Sequence, residues 1–146
     1  MKKQKALQEI QVSYKKEKAV QILSSKDAYD VLRPLFDDNT ITFYEEFFVL
    51  FLDRKNSVLG YRMIGRGGVA GCVVDAKVIF SIGLKAVASS IILSHSHPSG
   101  NLKPSTADIE LTKKLKQAGK LLDISVLDHL IVTELGYYSF SDEGML

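Results

Sequence analysis

His95 and His97 flank a single serine, and Asp108 follows eleven residues after the second histidine, in the stretch SHSHPSGNLKPSTAD. Imidazole nitrogen and carboxylate oxygen are donors that zinc accepts. Three protein donors leave a fourth coordination position for water or substrate, which is the catalytic rather than the structural arrangement. Two histidines and one carboxylate also suit non-haem iron. A plainer reading competes. Ser105 to Asp108 spells a capping box, with Ser105 as N-cap and Asp108 near N3, and the histidines are then polar residues at a strand end. The proline, serine and aspartate at fixed offsets beyond the pair weigh toward the metal.

Both imidazoles must point one way for this chemistry, and the carboxylate must reach them from another element. SSIILSHSH reads as a strand, and alternation puts His95 and His97 on one face with Ile91 and Leu93. Pro98 and Gly100 stop that strand, which predicts a pair at a sheet edge. A helix is predicted from Ser105 to about Ala118, with Gly119 as its stop signal. It carries Asp108 on one stripe with Leu111, Leu115 and Ala118, where an unpaired carboxylate is costly.

The remaining chain supplies a frame. IQVSYK, residues 10–15, alternates and predicts a short strand. SSKDAYDVLRPLF predicts a helix capped by Ser25 and ended by Pro34. EFFVLFLD, residues 46–53, reads as a strand covered on both faces, and VLGYRMIG returns beside it as a hairpin after the turn DRKNS. Arg66 to Gly68 reads as a loop, residues 75–88 as a helix, and ISVLDHLIVT and YYSF as late strands. This order predicts an α/β or α+β sandwich, a central mixed sheet flanked by helices.

The 146 residues suit one domain with a single substantial core, and 46% hydrophobic with 25% charged residues is a globular composition. A net charge of +2 is too small to imply nucleic acid. The lysines near the N-terminus read as a solvated face, with only Tyr14 interleaved. No stretch reaches the ~18 apolar residues of a membrane span, and no apolar run with a cleavage site follows the first lysines, so no secretory signal is expected. Cys72, the single cysteine, forms no internal disulfide and reads as a small buried apolar residue, and the cytoplasm is the expected location.

The motif His-Ser-His-Pro, with Ser105 eight positions past the second histidine and Asp108 three further on, resembles the JAMM (MPN+) metalloprotease signature. The wider sequence resembles the RadC-like branch. HSHPSGNLKPSTADIELTKKLKQAGKLLDISVLDHLIVTELGYYSF is similar to that family's core, and EEFFVLFLDRKN to its preceding strand. The likeness runs from about Leu23 to the C-terminus, which divides the chain into an N-terminal basic segment, 1–22, and a domain, 23–146. It implies a JAMM/cytidine-deaminase-like sandwich. A deaminase itself is disfavoured, because Cys72 has no Cys-x-x-Cys partner.

The resemblance implies zinc bound by His95, His97 and Asp108, with a general acid/base at Glu45 and an oxyanion-steadying hydroxyl at Ser105. Alternation alone leaves Glu45 and Glu46 open, and either could simply cap the strand. The implied reaction is hydrolysis of an amide or isopeptide bond in a peptide or protein substrate, by a metal-activated water. The other class of function is a non-catalytic or DNA-repair-associated accessory module that keeps the fold. Three departures from the family pattern stand in this sequence. The helix-hairpin-helix region of typical RadC proteins has no counterpart here, which weakens the expectation of DNA binding. Asp75, Ala76 and Lys77 stand where the family has Pro-Arg-Glu, and Ser96 stands where it often has Asn.

His129 reads as a core or interface histidine, and Asp128 as a candidate hydrogen-bond partner of a ligating imidazole. Gly67 and Gly68 lack the Lys-Ser/Thr of a phosphate loop and read as a turn bordering the site. Asn101, Leu102 and Lys103 are expected to face substrate. An exposed strand edge would recruit an extended peptide by strand addition.

Overall fold

A computed structural model describes residues 7–13, 19–68 and 73–146. Five strands form one mixed sheet in the order β2-β1-β3-β4-β5. Along the chain these are α1 (Ser25–Leu32), β1 (Glu45–Leu52), β2 (Val58–Gly67), α2 (Ala76–Lys85), β3 (Ser90–Ser96), α3 (Thr106–Leu121), β4 (Ser125–Val132) and β5 (Tyr137–Ser139). Among the described strands only β3 and β4 run parallel, and α3 is the crossover between them. This is the α+β sandwich that the order of elements predicts.

Strand β1 explains why the run EFFVLFL needs no polar face. Phe48, Leu50 and Leu52 pack on one side with Ala28 and Leu32 of α1. Phe47, Val49 and Phe51 pack on the other with Ile79 and Phe80 of α2 and Leu115 of α3. A strand buried on both faces reads as continuous apolar sequence. The second face also holds Ile91 and Leu93 of β3, so His95, two further on, points toward α3.

Several sequence expectations shift. The N-cap of α1 is Ser24, not Ser25, and Pro34 sits in a short 3-10 turn, Arg33–Leu35, that ends the helix. Residues 10–13 form no strand and are exposed, and residues 14 and 15 lie outside the described set. Alternation there meets no partner strand. Residues 20–22 instead run against 56–58, through Val58 N to Val20 O and Ile22 N to Asn56 O, both 2.8 Å. Arg66 and Gly67 belong to β2 rather than to a loop. Cys72 lies outside the described residues. Strand β3 is central, so the histidine pair stands at the carboxyl end of an inner strand, not at a sheet edge.

Gly119 is not the stop of α3, which runs on to Leu121. The left-handed residue after it is Asp123, φ 55°. Gly119 is required by contact instead, because a Cβ there would lie 2.2 Å from the Ile124 carbonyl oxygen. Helix propensity favours alanine over glycine by about 0.8–1.0 kcal/mol, whereas overpacking costs about 1–3 kcal/mol. Here the obstacle is backbone, so Gly119→Ala is expected to be destabilising by about 1 kcal/mol or more. Urea denaturation checks this, and a gain in stability would contradict the close approach.

Candidate metal centre

Four side chains converge where β1 begins and β3 ends. Glu45 opens β1, His95 lies near the end of β3, His97 follows its last residue, and Asp108 stands in the first turn of α3. Each offers one donor atom, and the four atoms lie within 4.8 Å of one another. His95 Nε2 and His97 Nε2 are 3.0 Å apart. Asp108 Oδ1 is 3.2 Å from the first and Oδ2 is 3.1 Å from the second. Glu45 Oε1 lies 3.8 Å from His95 Nε2.

These spacings suit a cation. Zinc bonds nitrogen and oxygen at ~2.0–2.2 Å, so two ligands on a tetrahedron stand about 3.3 Å apart. Three separations of 3.0–3.2 Å are therefore close to what an enclosed ion sets. The donor set is also one that repels itself when empty of both protons and cation, since two ring nitrogens and a carboxylate turn lone pairs to one point. The sequence-predicted trio is thus brought together, and Glu45 with it.

Register decides between the two glutamates in position. Phe47 pairs with His95 across β1 and β3, so Glu45 shares their face. Glu46 points the other way, is 2% exposed, and accepts from Arg66 Nε at 3.2 Å and Nη2 at 3.0 Å. Arg66 also lies over the Tyr44 ring, 4.9 Å from its centroid. Ser96 faces away from the trio, as alternation predicts, and has a task there. Its Oγ donates to Tyr44 O at 3.1 Å and accepts from Glu46 N at 3.0 Å. These bonds fix the backbone on both sides of Glu45. Gly67 pairs opposite Glu45 on β2.

The capping box is present too. Ser105 Oγ accepts from Asp108 N at 3.0 Å, and Ser105 N donates to Asp108 Oδ2 at 2.8 Å. Burial opposes ionisation of Asp108. The facing imidazoles of His95 and His97, with the Ser105 N–H, outweigh it and hold the carboxyl well below the usual carboxylate range. Burial likewise opposes a proton on His97, but Asp108, the Asn101 carbonyl and Glu45 raise its pKa above the ordinary imidazole value. An open cleft of roughly 870 Å³ gives access to the four groups, with Asn101, Lys103, Pro104 and Ser105 among its walls. Leu102 is not among them.

Asp128 hydrogen-bonds to neither His95 nor His97, which corrects the sequence expectation. Its carboxylate accepts from Ser139 Oγ at 2.6 Å, His129 N at 2.7 Å and Ser141 N at 3.0 Å, and burial raises its pKa. The contact belongs to His129. This residue is 0% exposed, and its Nε2 lies 2.7 Å from His95 Nδ1. Burial, then the neighbouring His95, holds its pKa well below the ordinary value. The core position of His129 agrees with its sequence pattern, but this bond is not legible there. Only the parallel register, Leu93 opposite His129, reveals it.

Fold and site together define an α+β domain with a histidine and carboxylate group able to hold a metal ion. The chain belongs to the family of RadC-like JAB domains, whose family model matches residues 22–145. A UPF0758 protein of Flavobacterium johnsoniae is 48% identical over 128 residues, which is 88% of this chain and 55% of that protein. A UPF0758 protein of Chlorobaculum tepidum is 37% identical over 127 residues, 87% of this chain and 56% of its own length. One from Methanosarcina mazei is 37% identical over 125 residues, 86% and 53%. The chain thus spans about half the length of the curated relatives it matches. No helix among the described residues is long and apolar enough to cross a membrane.

Proposed function

We propose that this domain is a zinc-dependent hydrolase of amide or isopeptide bonds in a peptide or protein substrate, with His95, His97 and Asp108 holding the ion. The observation that carries this reading is the convergence of three side chains whose donor atoms lie 3.0–3.2 Å apart, with a second carboxylate, that of Glu45, 3.8 Å from His95 Nε2, all open to one cleft. Bound zinc supplies Lewis acidity and brings the pKa of water from ~16 to about 7. Glu45, beside the trio but not needed to complete it, accepts the proton of the attacking water and returns it to the leaving amine. The Ser105 hydroxyl accepts from Asp108 N and keeps its own proton to donate to the developing oxyanion, a role worth about 2.7–4 kcal/mol of barrier. Strand β2 is an outer strand of the sheet, and its Gly67 stands across from Glu45. An extended peptide added along that edge would bring a backbone amide to the cleft. Elemental analysis of protein purified without added metal, followed by cleavage of a peptide library, tests the proposal. It expects about one zinc per chain and cleavage lost on chelation. Iron in place of zinc would revise the metal, and a chain with neither metal nor cleavage would sink the reading.

The raised pKa of His97 sets a pH dependence. In the metal-free protein its contribution to stability is fully present below the ordinary imidazole value, about 6.5. It is lost as pH rises through the folded value. Zinc needs the ring deprotonated, so its stabilisation grows over the same interval. The gap in Tm between zinc-loaded and EDTA-treated protein is expected to widen from about pH 6 to about pH 8. Thermal melts in the two conditions check this, and a flat gap would detach His97 from the ion.

A further inference from the structure

We infer that Thr112 and His129 form a positioning relay that fixes His95 as its Nδ1–H tautomer, so that Nε2 turns a lone pair to the cation site. The inference rests on the metal-centre reading and extends it to residues that touch no metal.

The direction of the relay follows from its terminal acceptor. Thr112 Oγ1 lies 2.7 Å from the Asp108 main-chain carbonyl, which has no proton, so the hydroxyl donates. Thr112 Oγ1 is also 2.6 Å from His129 Nδ1, and its single proton is already committed, so Nδ1–H donates to it. His129 is 0% exposed and its ring nitrogens face Thr112 and His95 rather than a carboxylate, so the ring carries one proton and Nε2 is bare. That atom is 2.7 Å from His95 Nδ1, and the bond exists only if His95 supplies the proton. His95 Nε2 is left without one, facing Asp108 and His97. His97 reaches the same state by a shorter route, because its Nδ1 donates directly to the Asn101 carbonyl at 2.6 Å.

The surroundings keep the relay in place. His129 stacks on Phe140 with ring centroids 4.8 Å apart and meets Phe47 edge-on at 5.6 Å. Thr112 is 3% exposed and sits one turn after Asp108 on α3. The relay therefore begins on the main chain of the residue whose carboxylate faces the site, crosses β4, and returns to the site through β3. Partners of this kind orient a ligating imidazole and carry about 10–100-fold in metal affinity.

The test uses the full chain with 15N-labelled histidine. Spectra of the EDTA-treated protein report the tautomers, and competition with a chromophoric chelator reports zinc affinity. Wild type is expected to show His95 and His129 as Nδ1–H. Thr112→Val keeps the shape of the side chain and leaves every proposed ligating side chain in place, and His129→Phe keeps the stacking on Phe140. Both are expected to let His95 populate the Nε2–H form and to weaken zinc binding by about 10–100-fold. Thr112→Ser restores the hydroxyl, and His129→Gln restores an acceptor toward His95 and a donor toward Thr112. Both are expected to recover the wild-type tautomer and most of the affinity, which a merely packing role would not predict. Wild-type affinity in both Thr112→Val and His129→Phe, with His95 still Nδ1–H, overturns the inference alone. A wild-type chain that takes up no zinc overturns the metal centre and this inference with it.

Discussion

Glu45→Gln is expected to slow amide hydrolysis by about 10²- to 10⁴-fold while zinc content stays at the wild-type level. Glutamine has the same shape and can still hydrogen-bond, but it cannot take a proton from water at neutral pH. The side chain is 15% exposed and held beside His95, so the substitution should not disturb the fold. Ser96 fixes the main chain on either side, through Tyr44 O and Glu46 N, and those bonds do not involve the Glu45 carboxylate. Turnover and metal content are therefore separable at this position. The measurement is single-turnover cleavage of a substrate from the library, with zinc determined on the same sample. Glu46→Gln is the matched control, because Glu46 faces the opposite side and engages Arg66. Unchanged turnover in Glu45→Gln would leave Glu45 as a strand-opening residue and remove the proton shuttle.

Some of this arrangement is legible in the sequence because it is local. The start of α3 is written in Ser105 and Asp108, and the common face of His95 and Ile91 follows from alternation. The double burial of β1 follows from its unbroken apolar run. What is not legible depends on strand order. The choice of Glu45 over Glu46 needs the register of β1 against β3, where Phe47 meets His95. The central place of β3 needs the crossover through α3 that sets β4 parallel beside it. His129 lies 34 residues from His95 in sequence, and nothing local distinguishes it from any other buried histidine. The opposite failure is residues 10–13, where alternation is present and the partner is not. Periodicity describes a strand's faces but does not supply the neighbour whose hydrogen bonds make it a strand.

Asp108 joins the two readings that compete in the sequence, and substitution there is expected to separate them. Its carboxylate can accept about four hydrogen bonds or ligand contacts. Oδ2 accepts from Ser105 N at 2.8 Å and faces His97 Nε2 at 3.1 Å, while Oδ1 faces His95 Nε2 at 3.2 Å. One side chain thus closes the capping box and faces the cation site at the same time. Asp108→Asn keeps an oxygen for Ser105 N, so the start of α3 should hold, with a stability change within about 1 kcal/mol. The charge is gone, however, and with it the anionic donor. Zinc affinity should fall by more than the ~10–100-fold typical of outer partners. Asp108→Ala removes the cap as well and should lose a further ~1 kcal/mol or so in the metal-free protein. Both variants also withdraw the carboxylate that raises His97, so its pKa should drop toward or below the ordinary value. Urea denaturation with EDTA measures the cap, chelator competition measures the ligand, and 15N spectra of His97 measure the charge. If Asp108→Asn bound zinc as tightly as wild type, Asp108 would be a cap and nothing more. The two imidazoles would then need another partner, for which Glu45, 3.8 Å from His95 Nε2, is the nearest carboxylate in the group.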